Sequence, residues 1–514
     1  MAPASNVLAA AGVLIVVFFY VIRRNRRRSG KLPPSPPYSL PLLGHLHLIG
    51  RLPHRSLRAL HLRHGSTGGL LLLQLGRRRT LVASTAAAAA DLFRSHDLAF
   101  ASRPRSVAGD KLMYGCRNVS FAPYGERWRR ARKLAVVHLL SPRRAEAFGP
   151  VRAAEAEALV GRVGRATRAG EEVPVREVVC CYANAAVTRA VAGAAGAAAE
   201  RVREMVGNSG ALVAGLQPDD VLPDAAAKVV RWATGMEKRL DDMAAVWDRL
   251  LSEIVAAREE KRAAAGAGKE KEEEDFLDVM LRLREEGGDN GFELTDDHIK
   301  AMLEDMIAAG MVTTSVTLEW VMAELVANPR VMGKVQDEIA RVVHDADEPG
   351  ISQAQLNRME YLRATVKEVL RLHPPAPLLV PHESTAPAVV QGYEVPPGTA
   401  LFVNAWAVGR DPAAWDAPEE FRPERFVAGG AAAAVDFRGT DYHFIPFGAG
   451  RRICPGINFA LPVVELALAS LLRHFDWSLP AGVRPEDLDL GEAPGLTTPL
   501  RVPLILIPRC KTLA

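Results

Sequence analysis

The sequence predicts a mainly α fold with small β-sheets, preceded by a single apolar membrane helix at the N-terminus. Three observations predict it. Long stretches of helical periodicity fill most of the chain from residue 124 onward, short apolar runs broken by glycine or proline occupy 69–83 and 376–403, and the first 22 residues carry no charged side chain. At 514 residues the chain is long enough for one large domain, and 64 basic against 60 acidic residues give a net charge of +4. So small and dispersed an excess argues against nucleic acid as a partner. Five cysteines, at 116, 180, 181, 454 and 510, show no repeated spacing. That speaks against a disulfide framework and for a cytosol-facing catalytic region.

In chain order, Val7–Ile22 is almost wholly apolar and is followed at once by Arg23, Arg24, Arg26, Arg27 and Arg28. About 20 apolar residues span a bilayer as helix. The basic flank stays on the cytosolic side by the positive-inside rule. A cleaved signal peptide is the alternative, but its charges normally precede the apolar stretch. Residues 1–28 are therefore expected to be a signal-anchor. Four prolines within Pro33–Pro37 cannot continue a helix, and 29–40 reads as a stiff hinge. Residues 41–514 form the domain beyond it.

Within that domain, Gly69–Leu75 and Thr80–Ala83, divided by Gly76-Arg-Arg-Arg79, read as a hairpin. Helices are expected over Tyr124–Leu140, Arg143–Arg165, Val179–Ala192 and Arg231–Lys261. Gly266–Asp275 is a charge run read as a solvated surface loop. Phe276–Arg284 resumes an amphipathic pattern. Asp296–Ala327 reads as one very long helix whose apolar middle implies burial on most sides. Leu356–His373 is helical and stops at Pro374-Pro375, a small sheet follows within 376–403, and a last helix runs from Pro455 to about Phe475.

The chemistry concentrates in Phe447-Gly-Ala-Gly-Arg-Arg-Ile-Cys-Pro-Gly456. Its glycines allow backbone to approach a flat ligand. A cysteine before a helix has its thiolate favoured by free N–H groups, and such a thiolate is a strong axial donor to haem iron. Arg452 is placed to meet an anionic group at a cofactor's edge. A lone cysteine is more often a small core residue, but that leaves the glycines and both arginines without a reason.

This segment resembles the haem-binding signature of cytochrome P450s, Phe-x-x-Gly-x-Arg-x-Cys-x-Gly, at every fixed position. Glu368-Val-Leu-Arg371 resembles the family's Glu-x-x-Arg element, and Phe421-Arg-Pro-Glu-Arg-Phe426 its Pro-Glu-Arg-Phe element. The resemblance implies a P450 fold, Cys454 as the axial ligand of haem b (iron protoporphyrin IX), Phe447 beside it, and a buried cluster of Glu368, Arg371 and Arg425. Trp128-Arg-Arg-Ala-Arg132 is similar to the segment whose Trp and Arg contact haem propionates. Arg452 and His382 would add donors, His382 standing where many plant members have Arg. Ala309-Gly-Met-Val-Thr-Thr314 resembles the oxygen-binding motif, with Ala309 and Gly310 leaving room for O₂ and Thr313 holding a water chain for proton delivery. Position 312, usually Asp or Glu, is Val, which places more of that delivery on Thr313 and water. Back-bonding to helix carbonyls is the plainer role for Thr313 and Thr314.

The likeness is to the plant microsomal branch that serves specialised metabolism, and it extends from Pro33 to the end. It implies a monooxygenase inserting one atom of O₂ into a small lipophilic metabolite, at the cytosolic face of the endoplasmic reticulum membrane. Electrons would come from NADPH through NADPH-cytochrome P450 reductase, with cytochrome b5 as a further donor. By position in the family, Tyr114, Leu212, Met306, Leu378, Leu379 and Thr497 would line the substrate pocket with Ala309 and Thr313. The basic residues after the anchor would suit an acidic reductase, membrane lipid or simple solubility equally. A P450-fold isomerase or dehydratase working without O₂ is the competing reading, pointed to by Val312 and opposed by Thr313. A haem-binding sensor would need neither Thr313 nor its small neighbours.

Overall fold

The computed structural model describes residues 31–193, 196–213, 217–265, 274–287, 293–343 and 350–511. The expected anchor, the start of the hinge and most of the 266–275 charge run lie outside the described residues. From Lys31 the hinge is already fastened to the domain. Glu394 N–H donates to Lys31 O and Leu72 N–H to Pro34 O, at 2.9 and 2.8 Å.

The helices that frame the interior are α1 (Glu126–Leu134), α2 (Gly149–Ala169), α3 (Val175–Ala192), α4 (Asp296–Ala327), α5 (Glu360–Leu372) and α6 (Ile457–His474). Helix α4 begins with Thr295 as N-cap, its side chain accepting from His298 N–H, which satisfies one of the orphan donors of a first turn. It has no polar face because α3, α5 and α6 pack around it. Its buried charges are paired instead, Glu319 with Arg176 at 2.9 Å and Glu324 with His373 at 2.7 Å. Among the described residues, α4 and α6 are long and apolar enough to cross a membrane. Both are mostly buried in the protein core, which accounts for that composition.

Four expected helices are interrupted, each for a local reason. Arg143–Arg165 is two helices, Pro142–Ala147 and α2, parted at Phe148 just before Pro150, which lacks an N–H. Arg231–Lys261 divides into Asp224–Ala233 and Met236–Ala265 at Gly235, whose φ of +68° is left-handed. Leu356–His373 divides at Met359, where Glu338 accepts from the N–H groups of Tyr361 and Leu362, both at 2.8 Å, and so caps α5. Tyr124–Leu140 starts at Glu126 and passes from α1 into a π-helical turn, Ala135–Leu139. The last helix begins at Ile457 rather than Pro455, so Cys454 precedes it by a turn.

The strands are β1 (Leu70–Leu75), β2 (Arg78–Ala83), β3 (Val173–Pro174), β4 (His382–Glu383), β5 (Ala388–Val390), β6 (Tyr393–Val395), β7 (Ala400–Val403), β8 (Phe475–Ser478) and β9 (Ile505–Cys510). The hairpin β1–β2 pairs Leu72 with Leu81. Strand β7 joins β2 in parallel and carries β4 at the edge, pairing His382 with Leu401. Two smaller sheets, β3-β9-β8 and β5-β6, complete the count among the described residues. Glu274 and Asp275, at the end of the charge run, are not a free solvated loop. Asp275 is buried, caps Phe276–Glu285 and pairs with Arg258, while Glu274 binds Arg144 and Arg282.

Candidate active site

One interior cavity lies between α4, α6, α1, the segment 375–382 and the loop 446–456. It is lined by Trp128, Arg132, Met306, Ala309, Gly310, Thr313, Leu379, His382, Phe447, Arg452 and Cys454, residues spread over some 330 positions of sequence. Most of the remaining wall is apolar, as ligand sites usually are.

The loop that presents Cys454 is held by its own backbone. Cys454 N–H donates to Phe447 O at 2.9 Å. Gly448 and Gly450 have φ of +74° and +67°, left-handed values that glycine adopts without strain. A Cβ at Gly450 would also lie 2.3 Å from Asp97 Oδ1, the carboxylate that accepts from Arg451 N–H and pins the loop. Burial pushes the Cys454 thiol up, against the Gly456 N–H and the Arg132 charge, which favour the thiolate. The cysteine is therefore not made acidic by its loop alone, and a metal cation bound at its sulfur would favour the thiolate.

At the cavity edge the cations gather. Arg452 donates to the carbonyls of Ala101, Val119 and Ala122 and lies 3.9 Å from the Trp128 ring centre. Trp128 is buried, and its indole N–H donates to Val119 O at 3.0 Å, so it braces Arg452 instead of offering a free donor. Arg132 donates to Ile453 O beside the cysteine. Arg103, not picked out from the sequence, is also buried here and donates to Ser120, Val380 and Pro381 carbonyls. His382 donates through Nδ1 to Phe100 O at 2.9 Å. Burial, with Arg103 nearby, holds its imidazole well below the ordinary value. Burial first, then their neighbouring arginines, lower Arg103 and bring Arg452 down to about 9.

Against these groups, Asp305 is the one carboxylate lining the cavity among the described residues. It is fully engaged with the N–H groups of Val119 and Ser120 at 2.9 and 3.0 Å. Buried guanidinium groups in excess of carboxylates call for an anion. A flat group carrying two carboxylates at one edge and a thiolate-seeking iron at its centre meets this donor set. The residues fit haem b: Cys454 would hold the iron, and Arg103, Arg132 and Arg452 would meet the propionates.

Across the cavity, α4 turns Ala309 and Thr313 inward. Thr313 Oγ1 donates to Ala309 O at 2.7 Å. Gly310 serves a close helix crossing, since a Cβ there would lie 3.0 Å from Val187 Cγ2 of α3. Val312 is partly buried, with its side chain against the main core. Of the six positions expected at the substrate, Met306 and Leu379 line the cavity, Leu379 by taking a left-handed φ of +55°. The other four do not. Leu378 packs against the core cluster that contains Leu57 and Leu71, and Leu212 against the one that contains Leu112 and Leu240. Tyr114 reaches Asp248 at the surface. Thr497 sits behind the wall, next to Thr498, whose N–H donates to Pro375 O.

Behind the cavity, Glu368 accepts two bonds from Arg371 at 2.8 Å each, one from Arg425 at 3.1 Å and one from Arg422 N–H at 2.8 Å. Arg371 also donates to the carbonyls of Gly409, Pro418 and Glu420. This buried cluster clamps the segment 409–425 onto α5.

The family model of cytochrome P450 matches residues 33–504. Cytochrome P450 71A1 of Persea americana is 41% identical over 90% of this chain and 91% of its own. The indolin-2-one monooxygenase of Zea mays is 41% identical over 93% and 89%, and the (+)-menthofuran synthase of Mentha piperita 38% identical over 93% of each. A zebra fish cytochrome P450 solved with abiraterone superposes with a TM-score of 0.72 at 23% identity, over 90% of this chain and all of its own. Sequence match, fold and site thus converge: the chain belongs to the cytochrome P450 family, as a monooxygenase of its plant branch.

Proposed function

We propose that the protein inserts one oxygen atom from O₂ into a small lipophilic plant metabolite, drawing electrons from NADPH through NADPH-cytochrome P450 reductase. Cytochrome b5 would serve as a second donor. The observation that carries this reading is the cavity with Cys454 on one wall and Ala309 and Thr313 on α4. Relatives named for indolin-2-one, menthofuran and norfluorocurarine support a compact apolar substrate. Residues 1–28 would anchor the chain in the endoplasmic reticulum membrane as a single pass, with the domain in the cytosol.

Bound haem supplies the activation of O₂. The chain's own residues orient and protect that step. Arg103, Arg132 and Arg452 fix the cofactor's acidic edge, and Phe447 and Leu379 contribute to the apolar enclosure. Ala309 keeps the space beside α4 open by carrying only a methyl. Thr313 Oγ1 donates to Ala309 O, and its free lone pair could accept from a water in the cavity. Turning from that carbonyl, the hydroxyl would relay a proton into the cavity while taking another from that water, and so end the step neutral. Met306 and Leu379 would set which face of the substrate is presented.

The test is product formation by purified protein with NADPH and reductase, compared with either omitted, after a screen for haem Soret shifts has selected substrates. Product only in the complete mixture is the expected result. Turnover without NADPH and reductase would replace this reading with an isomerase or dehydratase.

A further inference from the structure

Between the short helix Val107–Leu112 and α1 the chain crosses the cavity wall without regular structure, and Val119 and Ser120 line the cavity there. Side chains hold this backbone. The carbonyls of Val119 and Ala122 accept from Arg452, and that of Ser120 accepts from Arg103. Trp128 adds a second bond to Val119 O. In the opposite direction, the N–H groups of Val119 and Ser120 both donate to one oxygen, Asp305 Oδ2 on α4. The peptide unit joining Val119 to Ser120 is therefore gripped at both ends. Its C=O is held from the propionate edge and its N–H from α4.

The choice of a carboxylate for this grip is costly. Asp305 is buried at 9% exposure. Burial pushes its carboxyl up, opposed by the Ser120 hydroxyl and the two N–H groups. A neutral acceptor such as asparagine would escape the cost of burying a charge. Nor is Asp305 spent on an ion pair. Among the described residues none joins it to Arg103 or Arg132, whose charges reach it only from further off. What the charge provides is one oxygen taking two charge-assisted bonds, each about twice as strong as a neutral one. Asp305, Ala309 and Thr313 follow one another at about one helical turn, and all three line the cavity. The grip thus acts on the wall that faces the reacting region.

We propose that Asp305 is a positioning residue that sets the size of the substrate space. It holds the Val119–Ser120 peptide against α4, and a ligand too large for the closed wall enters only when these two bonds open. The proposal deepens the assignment of this cavity to substrate and rests on it.

Spectral titration of the full-length haem-loaded protein with two azoles tests it, one compact (4-phenylimidazole) and one bulky (clotrimazole). Both ligate iron through one nitrogen, so any change at the iron cancels in the ratio of their dissociation constants. Asp305→Asn keeps the size of the side chain but can turn an amide donor toward the two N–H groups. The ratio of the clotrimazole Kd to the 4-phenylimidazole Kd should fall about tenfold, as the cost of opening drops by about one charge-assisted bond. Ser120→Ala removes the hydroxyl beside the same carboxylate and should lower the ratio about twofold. It decides the matter if Asp305→Asn holds no haem. An unchanged or raised ratio in the deciding variant overturns the proposal, because a merely structural Asp305 would weaken both azoles alike. Neither titration needs NADPH, reductase or O₂, so this result stands or falls apart from the monooxygenase test.

Discussion

The guanidinium carbon of Arg452 stands 3.9 Å from the Trp128 ring centre, and both side chains are bonded to the same carbonyl, that of Val119. A desolvated cation–π contact contributes about 2 kcal/mol and a buried hydrogen bond about 1. Trp128→Phe keeps a ring and removes the N–H, whereas Trp128→Leu removes both. Haem per protein after gel filtration should fall in the order wild type, Phe, Leu. Equal retention in all three would mean that the ring does not position Arg452.

Glu368 is completely buried and takes four donors from three residues of two segments. Breaking a buried pair by removing one partner costs about 3–5 kcal/mol, because the other charge is left alone. Glu368→Leu should therefore yield little protein with the reduced carbon monoxide spectrum. Arg371→Lys should fail similarly, since an ammonium cannot replace a two-pronged guanidinium that also reaches three carbonyls. Near-normal spectra and yields in Arg371→Lys would show that charge alone suffices.

The parts of this site that are legible in the sequence are local ones. Phe447–Gly456 and Glu368/Arg371 carry their geometry in spacing, so their shapes follow from a loop and one helix face. Arg103 and Asp305 are different, because their partners, Val380 and Val119, lie about 280 and 190 positions away and no spacing announces them. Leu378 and Leu379 are indistinguishable as letters. Only the left-handed turn at Leu379 sends one into the cavity and leaves the other against the separate cluster around β1 and β2. The interrupted helices share this cause: Glu338 caps α5 from a distant helix, which the Leu356–His373 periodicity does not reveal.

Thr313 Oγ1 donates to Ala309 O, and the neighbouring Val312 offers no acid. With reductase and a substrate found by Soret shift, Thr313→Ala should lower product per NADPH consumed, while Thr313→Ser should restore much of it. Val312→Asp should raise the ratio above wild type if an acid at 312 shortens the proton path. Because Val312 is half-buried against the core, the same variant should lose about 1 kcal/mol for a poorly solvated polar group, visible as a lower melting temperature. An unchanged ratio would show that Thr313 and water already suffice.

Glu492 joins the chain's two ends, accepting from His54 Nε2 at 2.9 Å and Arg55 Nε at 2.6 Å. Burial works to raise this carboxyl, but the bonds and charge of His54 and Arg55 outweigh it and hold it at about 2. In the unfolded chain it titrates near 4.5. A carboxyl depressed on folding stabilises above the unfolded value and loses that contribution as pH falls through the folded one. The gap corresponds to roughly 3 kcal/mol. Glu492→Gln should therefore melt well below wild type at pH 7, and the difference should close as pH falls from about 4.5 toward 2. A difference that stays constant through that window would mean that Glu492 contributes by packing, with its charge irrelevant to holding Pro53–His64 against the C-terminal loop.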